Sequence, residues 1–167
     1  MSARFAALIE VALERVLVMA DIFEQQARLC EERWARRYLF FLAAKKREQQ
    51  VAFERLRRNE SVKNLMCDKV PEMHCAQPVD GLHKATLREI FEFACRMAGR
   101  DLAVFYEACN EDSEDFRARA LQSMLIRSVK KSFGDIRSGY LRFVTRQESE
   151  ETMFAYQEKH YEAYSIG

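Results

Sequence analysis

The sequence predicts an all-α protein, an antiparallel four-helix bundle made of two helical hairpins joined by a long crossover, with a helical tail at the C-terminus. Three observations lead there. Shifted by 83 positions the chain overlays itself, so that Ala20, Phe23, Glu24 and Glu31 meet Ala103, Tyr106, Glu107 and Glu114. Ala35, Arg36 and Leu42 likewise meet Ala118, Arg119 and Leu125. Glycine and proline are absent from Met1 through Val70, where strong helix formers dominate. Apolar residues recur in alternating steps of three and four, the spacing of one helix face.

The first helix carries Phe5, Leu8, Ala12, Val16, Met19, Phe23 and Ala27 on one stripe. The polar run Cys30-Glu31-Glu32-Arg33 interrupts the pattern and marks a short turn, which makes the next helix an antiparallel neighbour. The second stripe, Leu39, Leu42, Lys46, Gln49, Phe53 and Leu56, is a heptad with two polar residues at its centre. These elements form a hairpin over 3–60.

Periodicity then disappears and both prolines occur, which assigns 61–84 to the crossover. The second hairpin spans 85–144. Its first helix runs from about Ala85 to Cys109, with Thr86 or Asp80 as a starting signal, and its apolar content covers more than one face, so the most deeply buried helix is expected here. The acidic run Asn110 to Asp115 forms a turn and places negative charge at the start of the last helix. That helix shows Ala118, Leu121, Leu125, Val129, Ser132, Ile136 and Tyr140 on one stripe and continues past Gly134 and Gly139. The tail, 145–167, has Phe154, Tyr161 and Tyr164 at helical spacing and reads as a helix that packs on the bundle or on a second copy.

Composition narrows the function classes. The chain of 167 residues is expected to be a single domain, 1–167, able to bury roughly two thirds of its unfolded surface without staples. Lys and Arg number 27 against 26 Asp and Glu, so no overall field attracts nucleic acid. No apolar run reaches the ~18 residues of a membrane span, and the start leads directly into amphipathic helix, so a cytoplasmic location is expected. Five cysteines is an odd number, and Cys30, Cys95 and Cys109 fall in or beside apolar patterns, as small core residues do in a reducing compartment. Glu10, Glu14, Asp21 and Glu24, with Asp101 and Glu107, alternate with the apolar stripes and read as solvated or ion-paired faces. Lys45 to Arg47 with Arg55, Arg57 and Arg58 makes a basic surface that lacks the interleaved aromatics of nucleic-acid readers.

The aromatics Phe23 and Phe105-Tyr106, followed by Leu42-Ala43 and Leu125-Ile126 in the second helix of each hairpin, resemble the rubrerythrin-like branch of the ferritin-like superfamily over about Phe5 to Phe143. The resemblance implies a ferritin-like bundle and a di-iron oxidoreductase. In that family each hairpin carries a glutamate seven residues before the aromatic, then Glu-x-x-His on the following helix. Carried over, those positions are Val16, Lys46 and Gln49 in the first hairpin and Gly99, Val129 and Ser132 in the second. None of the six is a normal iron ligand, and Lys46 would repel an entering cation.

The expected function is therefore that of a related bundle that has lost the di-iron centre, without a cofactor, acting as a non-catalytic binding or interaction module and forming a homodimer. Two alternatives stand beside it. One is a metal-dependent oxidoreductase of iron and peroxide chemistry with unconventional ligands. The other is a small-molecule or anion binder at a cavity formed by Lys46, Gln49 and Ser132 beside Gly99; otherwise Lys46 reaches solvent or pairs with a carboxylate. Cys67, His74, Cys75 and His83 include soft metal ligands, but their spacing does not match a structural zinc site and they read as loop residues.

Overall fold

In the computed structural model the breaker-free N-terminal third becomes two long helices, α1 (Phe5–Leu29) and α2 (Arg33–Arg58), joined by a three-residue turn. The structure describes residues 3–59, 66–67, 84–109 and 116–164. Beyond the first hairpin these contain α3 (Leu87–Cys109) and α4 (Phe116–Tyr164), and a two-residue antiparallel pairing of β1 (Ala3–Arg4) with β2 (Met66–Cys67). The architecture among the described residues is thus an all-α bundle of four helices with one short strand pair.

Local signals account for the helix ends. Thr86 and Glu89 form a capping box at the start of α3: the Thr86 amide and hydroxyl donate to the Glu89 carboxylate at 2.7 and 2.8 Å, and the Glu89 amide donates back to Thr86 Oγ1 at 3.3 Å. These bonds hold the Glu89 carboxyl below its usual range. At the α1–α2 turn the Cys30 amide donates to the Gln26 carbonyl at 2.9 Å and the Arg36 guanidinium caps the Cys30 carbonyl at 2.7 Å.

Cross-helix pairs give the directions. Arg47 bridges Asp21 and Glu24, and Arg57 meets Glu10, so α1 and α2 run antiparallel. Tyr140 donates to Glu92 and Phe143 stacks near Phe91, which makes α3 and α4 antiparallel as well. Between hairpins, Arg15 meets Asp101 while Gln49 meets Ser128 and Glu32 meets Arg146, so α1 opposes α3 and α2 opposes α4. The start of α3 consequently lies beside the α1–α2 turn, where Ala85, Leu87 and Ile90 line a recess with Gln26 and Cys30. The Met66–Cys67 strand sits at the other end, against the start of α1.

The apolar core is divided in two. Phe5, Leu8, Ile9, Ala12 and Val16 join Phe53, Phe105, Leu125 and Val129 in one cluster. Met19, Phe23, Ala27, Leu39 and Leu42 join Phe91, Ala94, Ala98, Ile136 and Phe143 in the other. Between them the inward positions are polar. The stripe of α1 is buried as its spacing predicts, and α1, with thirteen buried residues, is buried more deeply than the described part of α3. On α4, Ala118, Leu125, Val129 and Ile136 are buried, whereas Leu121, Ser132 and Tyr140 lie at the edge and Gln122, Gly139 and Phe143 take the inner places.

The internal repeat has two registers. Among the described residues, the seven buried positions of α3, Ile90, Phe91, Ala94, Ala98, Asp101, Phe105 and Cys109, all fall on buried residues of α1 at an offset of 82, beginning with Ile90 on Leu8 and ending with Cys109 on Ala27. In the second helices the offset is 83, with Ala118 on Ala35, Leu125 on Leu42, Val129 on Lys46 and Ile136 on Phe53. One extra residue therefore lies between the helices of the second hairpin. Phe105, at 1% exposure, is the partner of Phe23, while Tyr106 is 41% exposed.

At Gly139 the backbone of α4 comes close to side chains of α2 and α3. A Cβ there would meet Tyr38 Cδ1 at 2.8 Å and Phe91 Cε1 at 3.1 Å, and the Tyr38 hydroxyl pins the ring by donating to the Asp135 carbonyl at 2.8 Å. Gly139→Ala is expected to cost about 1–3 kcal/mol through overpacking. Gly134→Ala, with nothing within 4 Å of the new methyl, should instead stabilise by about 0.5–1 kcal/mol through helix propensity. Paired thermal melts check both signs.

The 49-residue α4 outlasts its partners. Arg146 reaches Glu32 at 3.8 Å, so the turns from there to Tyr164 run past the level of the α1–α2 turn. The segment expected as a tail is thus helical through Tyr164 and continuous with α4.

Candidate functional site

The polar waist between the two core clusters is built from one or two residues of each helix. Arg15 and Asp101 are 6% and 5% exposed and form a buried ion pair, with Nε and Nη2 of Arg15 at 2.9 and 2.8 Å from Asp101 Oδ1. Arg15 Nη2 also lies 3.8 Å from Met97 Sδ. Lys46 is 7% exposed, and burial lowers its pKa to about 8, opposed by the carboxylates of Asp101 and Asp135 and assisted by Arg15. Gln49 donates from Nε2 to Ser128 Oγ at 2.8 Å, while its buried Oε1 has no partner among the described residues.

The residues singled out from the sequence divide between this waist and its surroundings. Val16, Lys46, Gln49 and Val129 are buried at or beside it. Ser132 is half-buried and lies on the flank in a recess of about 200 Å³ with Lys45, Glu48, Gln49, Ser128, Lys131 and Asp135. Lys46 does not line that recess, which meets the waist only through Gln49 and Ser128. Gly99 opens no space at the centre: it is half-buried, and a Cβ there would sit in ordinary contact, 3.7 Å, with the Phe133 ring. The inward place belongs to Ala98, because a one-residue change of register turns a helix by about 100°.

Asp101 takes the ion-paired of its two expected readings, but the pair with Arg15 is buried and not at a solvated face, a contact across two hairpins that spacing on either helix does not show. Of the other acids, Glu10 pairs with Arg57, and Asp21 and Glu24 pair with Arg47. Much of the basic surface is matched in the same way, Lys45 by Glu48 and Arg58 by Glu54. Cys67 lies in β2, whereas His74, Cys75 and His83 fall outside the described residues. Cys30 and Cys109 are buried and Cys95 is half-buried. Burial pushes the Cys30 and Cys95 thiols up, which disfavours the reactive thiolate.

The donor set at the waist does not fit a di-metal centre. Two divalent ions of that type need several carboxylates with imidazole, whereas the waist presents one carboxylate already held by a guanidinium, beside an ammonium and an amide. Among the described residues no group of three or more His, Cys, Asp or Glu converges on one point.

A second concavity, of about 540 Å³, lies between the N-terminal turns of α2 and the middle of α4. Its lining combines four arginines, Arg33, Arg37, Arg142 and Arg146, with Trp34, Tyr38, Phe41 and a single acid, Glu32. The arginines sit as i, i+4 pairs on facing helices, a pattern divided between two distant segments of sequence and so invisible along either one.

No protein-family model matches the sequence, and no curated protein or solved structure matches it significantly. No described helix is long and apolar enough to cross a membrane.

Proposed function

We propose that this chain is a ferritin-like bundle whose metal centre has been replaced, and that it serves as a non-catalytic binding or interaction module. The observation that carries the reading is the polar waist. It contains Lys46 and Gln49, two of the positions to which the resemblance carries metal ligands, and its buried charges are one carboxylate, a guanidinium and an ammonium. With its one buried carboxylate already held by a guanidinium, the waist presents no free anionic ligand to a divalent cation. The helix directions support the ferritin-like assignment, since α2 ends beside the start of α1 whereas α3 starts at the opposite end of the bundle, beside the α1–α2 turn.

Metal content of protein purified with and without oxygen is the direct test. Iron and manganese are expected to remain substoichiometric under both conditions, and a stoichiometric metal would overturn the reading in favour of an oxidoreductase with unconventional ligands.

The oligomer belongs to the same proposal. The helical extension of α4 past the bundle, with Phe154, Tyr161 and Tyr164 at helical spacing in the sequence, suits pairing with a second copy. Light scattering should give a dimer for the full chain and a monomer after truncation at Glu150. A monomeric full chain sinks this part of the proposal.

A further inference from the structure

The concavity between α2 and α4 has an electrostatic anomaly that folding alone does not require. The N-terminus of a helix is its positive end and favours acidic residues, yet the first turn of α2 contains no acid and its opening residues include Arg33, Arg36 and Arg37. Glu32, at the N-cap, makes no side-chain capping bond to the helix. Its carboxylate is occupied elsewhere, accepting from Trp34 Nε1 and lying 3.8 Å from Arg146. Arg36 turns away to the Cys30 carbonyl.

Of the four arginines lining the concavity, only Arg146 has carboxylates beside it among the described residues, those of Glu32 and Glu150. Arg33, Arg37 and Arg142 form no ion pair among the described residues, and with one acid against four arginines the lining is net positive. Like charges gathered at the wrong end of a helix dipole raise the energy of the free protein, and an arriving anion lowers it.

The aromatic lining specifies more than charge. Trp34 stacks on Phe143 with centroids 6.3 Å apart and carries the Arg146 guanidinium over its ring at 5.8 Å, while Tyr38 is tied to Asp135. These two rings are fixed. Phe41 packs against Tyr38 at 5.5 Å and has the Lys45 ammonium 5.9 Å from its ring centre, yet stays 42% exposed, and a planar group stacking there would take the place of that mobile side chain. The volume falls in the range that binds ligands of drug or cofactor size, and arginine forks on two facing helices suit several phosphoryl oxygens at once.

We infer that the α2–α4 concavity is a binding site for a nucleoside polyphosphate, with Arg33, Arg37 and Arg142 holding the phosphates and the base stacking on Phe41. The inference deepens the binding reading above by naming a ligand class. Its residues are distinct from those of the waist, so the two readings fail separately: stoichiometric metal would end the first and leave this site untouched.

Trp34 is the only tryptophan in the chain and lines this concavity, which makes its fluorescence a local reporter. Titration of the full-length protein with ATP should change Trp34 emission saturably. The double variant Arg37→Gln/Arg142→Gln should weaken ATP binding about tenfold or more, since a single charge-assisted hydrogen bond to a phosphate is worth about a factor of ten. Its far-UV spectrum should match the parent and its melting temperature should be equal or higher, since the change relieves like-charge repulsion. Inorganic triphosphate and adenosine, titrated separately, should each bind about tenfold more weakly than ATP, because each engages only part of the site. No saturable response to ATP overturns the inference, as does an unchanged affinity in the double variant. Triphosphate binding as tightly as ATP removes the role of the aromatic wall, and adenosine doing so removes that of the arginines; either result refutes the assignment.

Discussion

Asp101→Asn should lower the free energy of unfolding by about 3–5 kcal/mol, the cost of removing one partner from a buried ion pair. The reason is what the substitution leaves behind. Arg15 is 6% exposed and its Nε and Nη2 both address Asp101 Oδ1, so an amide in that place strands a guanidinium where water does not reach it. Lys46 adds to the cost, because Asp101 is the principal charge opposing its burial. The pseudo-symmetry supplies the rescue. At the offset of 82 that relates α1 to α3, Arg15 corresponds to Met97 and Asp101 to Met19, so the mirror-related positions of the same helix pair are occupied by methionines. Arg15→Met/Asp101→Met should recover most of the lost stability, since replacing a whole buried pair with apolar groups is often neutral or better. Urea denaturation of the parent and the single and double variants decides it. A single variant within about 0.5 kcal/mol of the parent, the scale of an ordinary surface change, would show that the pair contributes nothing at the waist.

The same pair marks the boundary of what one-dimensional pattern discloses. The stripe from Phe5 to Ala27 and the inward places of Lys46 and Gln49 are readable because a helix repeats its own faces, and all are buried. The turn at Glu31 and Glu32 is readable because polar residues interrupt that repetition. Arg15 borders Val16 on the flank of the stripe, and only the opposing α3 turns that flank into interior. Register is blurred by chemistry: Ala20, Phe23 and Glu24 resemble Ala103, Tyr106 and Glu107 at an offset of 83, whereas burial pairs Phe23 with Phe105. Similar residue types one position apart on a helix lie about 100° from one another, so a single extra residue before α4 exchanges Gly99 for Ala98 at the centre. The α2–α4 concavity is unreadable for a related reason, as its two arginine pairs lie in helices far apart along the chain and meet only because α2 opposes α4.

Lys46→Met should act in the opposite direction to Asp101→Asn and stabilise the protein at neutral pH by up to about 3 kcal/mol, the equivalent of moving the ammonium from its ordinary pKa of 10.5 to about 8. Below about pH 8 the lysine is protonated in both the folded and unfolded chain, and the full burial penalty falls on the folded state. Between about pH 8 and 10.5 the unfolded chain retains a proton that the folded chain has released, so this group makes stability rise with pH. Above 10.5 both forms are neutral and the penalty is gone. Cys30, Cys95 and Tyr38 work against that trend at high pH, because burial raises their folded-state pKa values and the unfolded chain ionises first. The difference between parent and variant removes those shared contributions. It should be largest at pH 7, equivalent to about 6–12 °C in melting temperature, and should close as the pH approaches 10. Urea unfolding of both proteins at pH 7, 8, 9 and 10 measures it. A variant less stable than its parent at pH 7 would mean that attraction to Asp101 and Asp135 outweighs the loss of water, and that the lysine reinforces the waist rather than straining it.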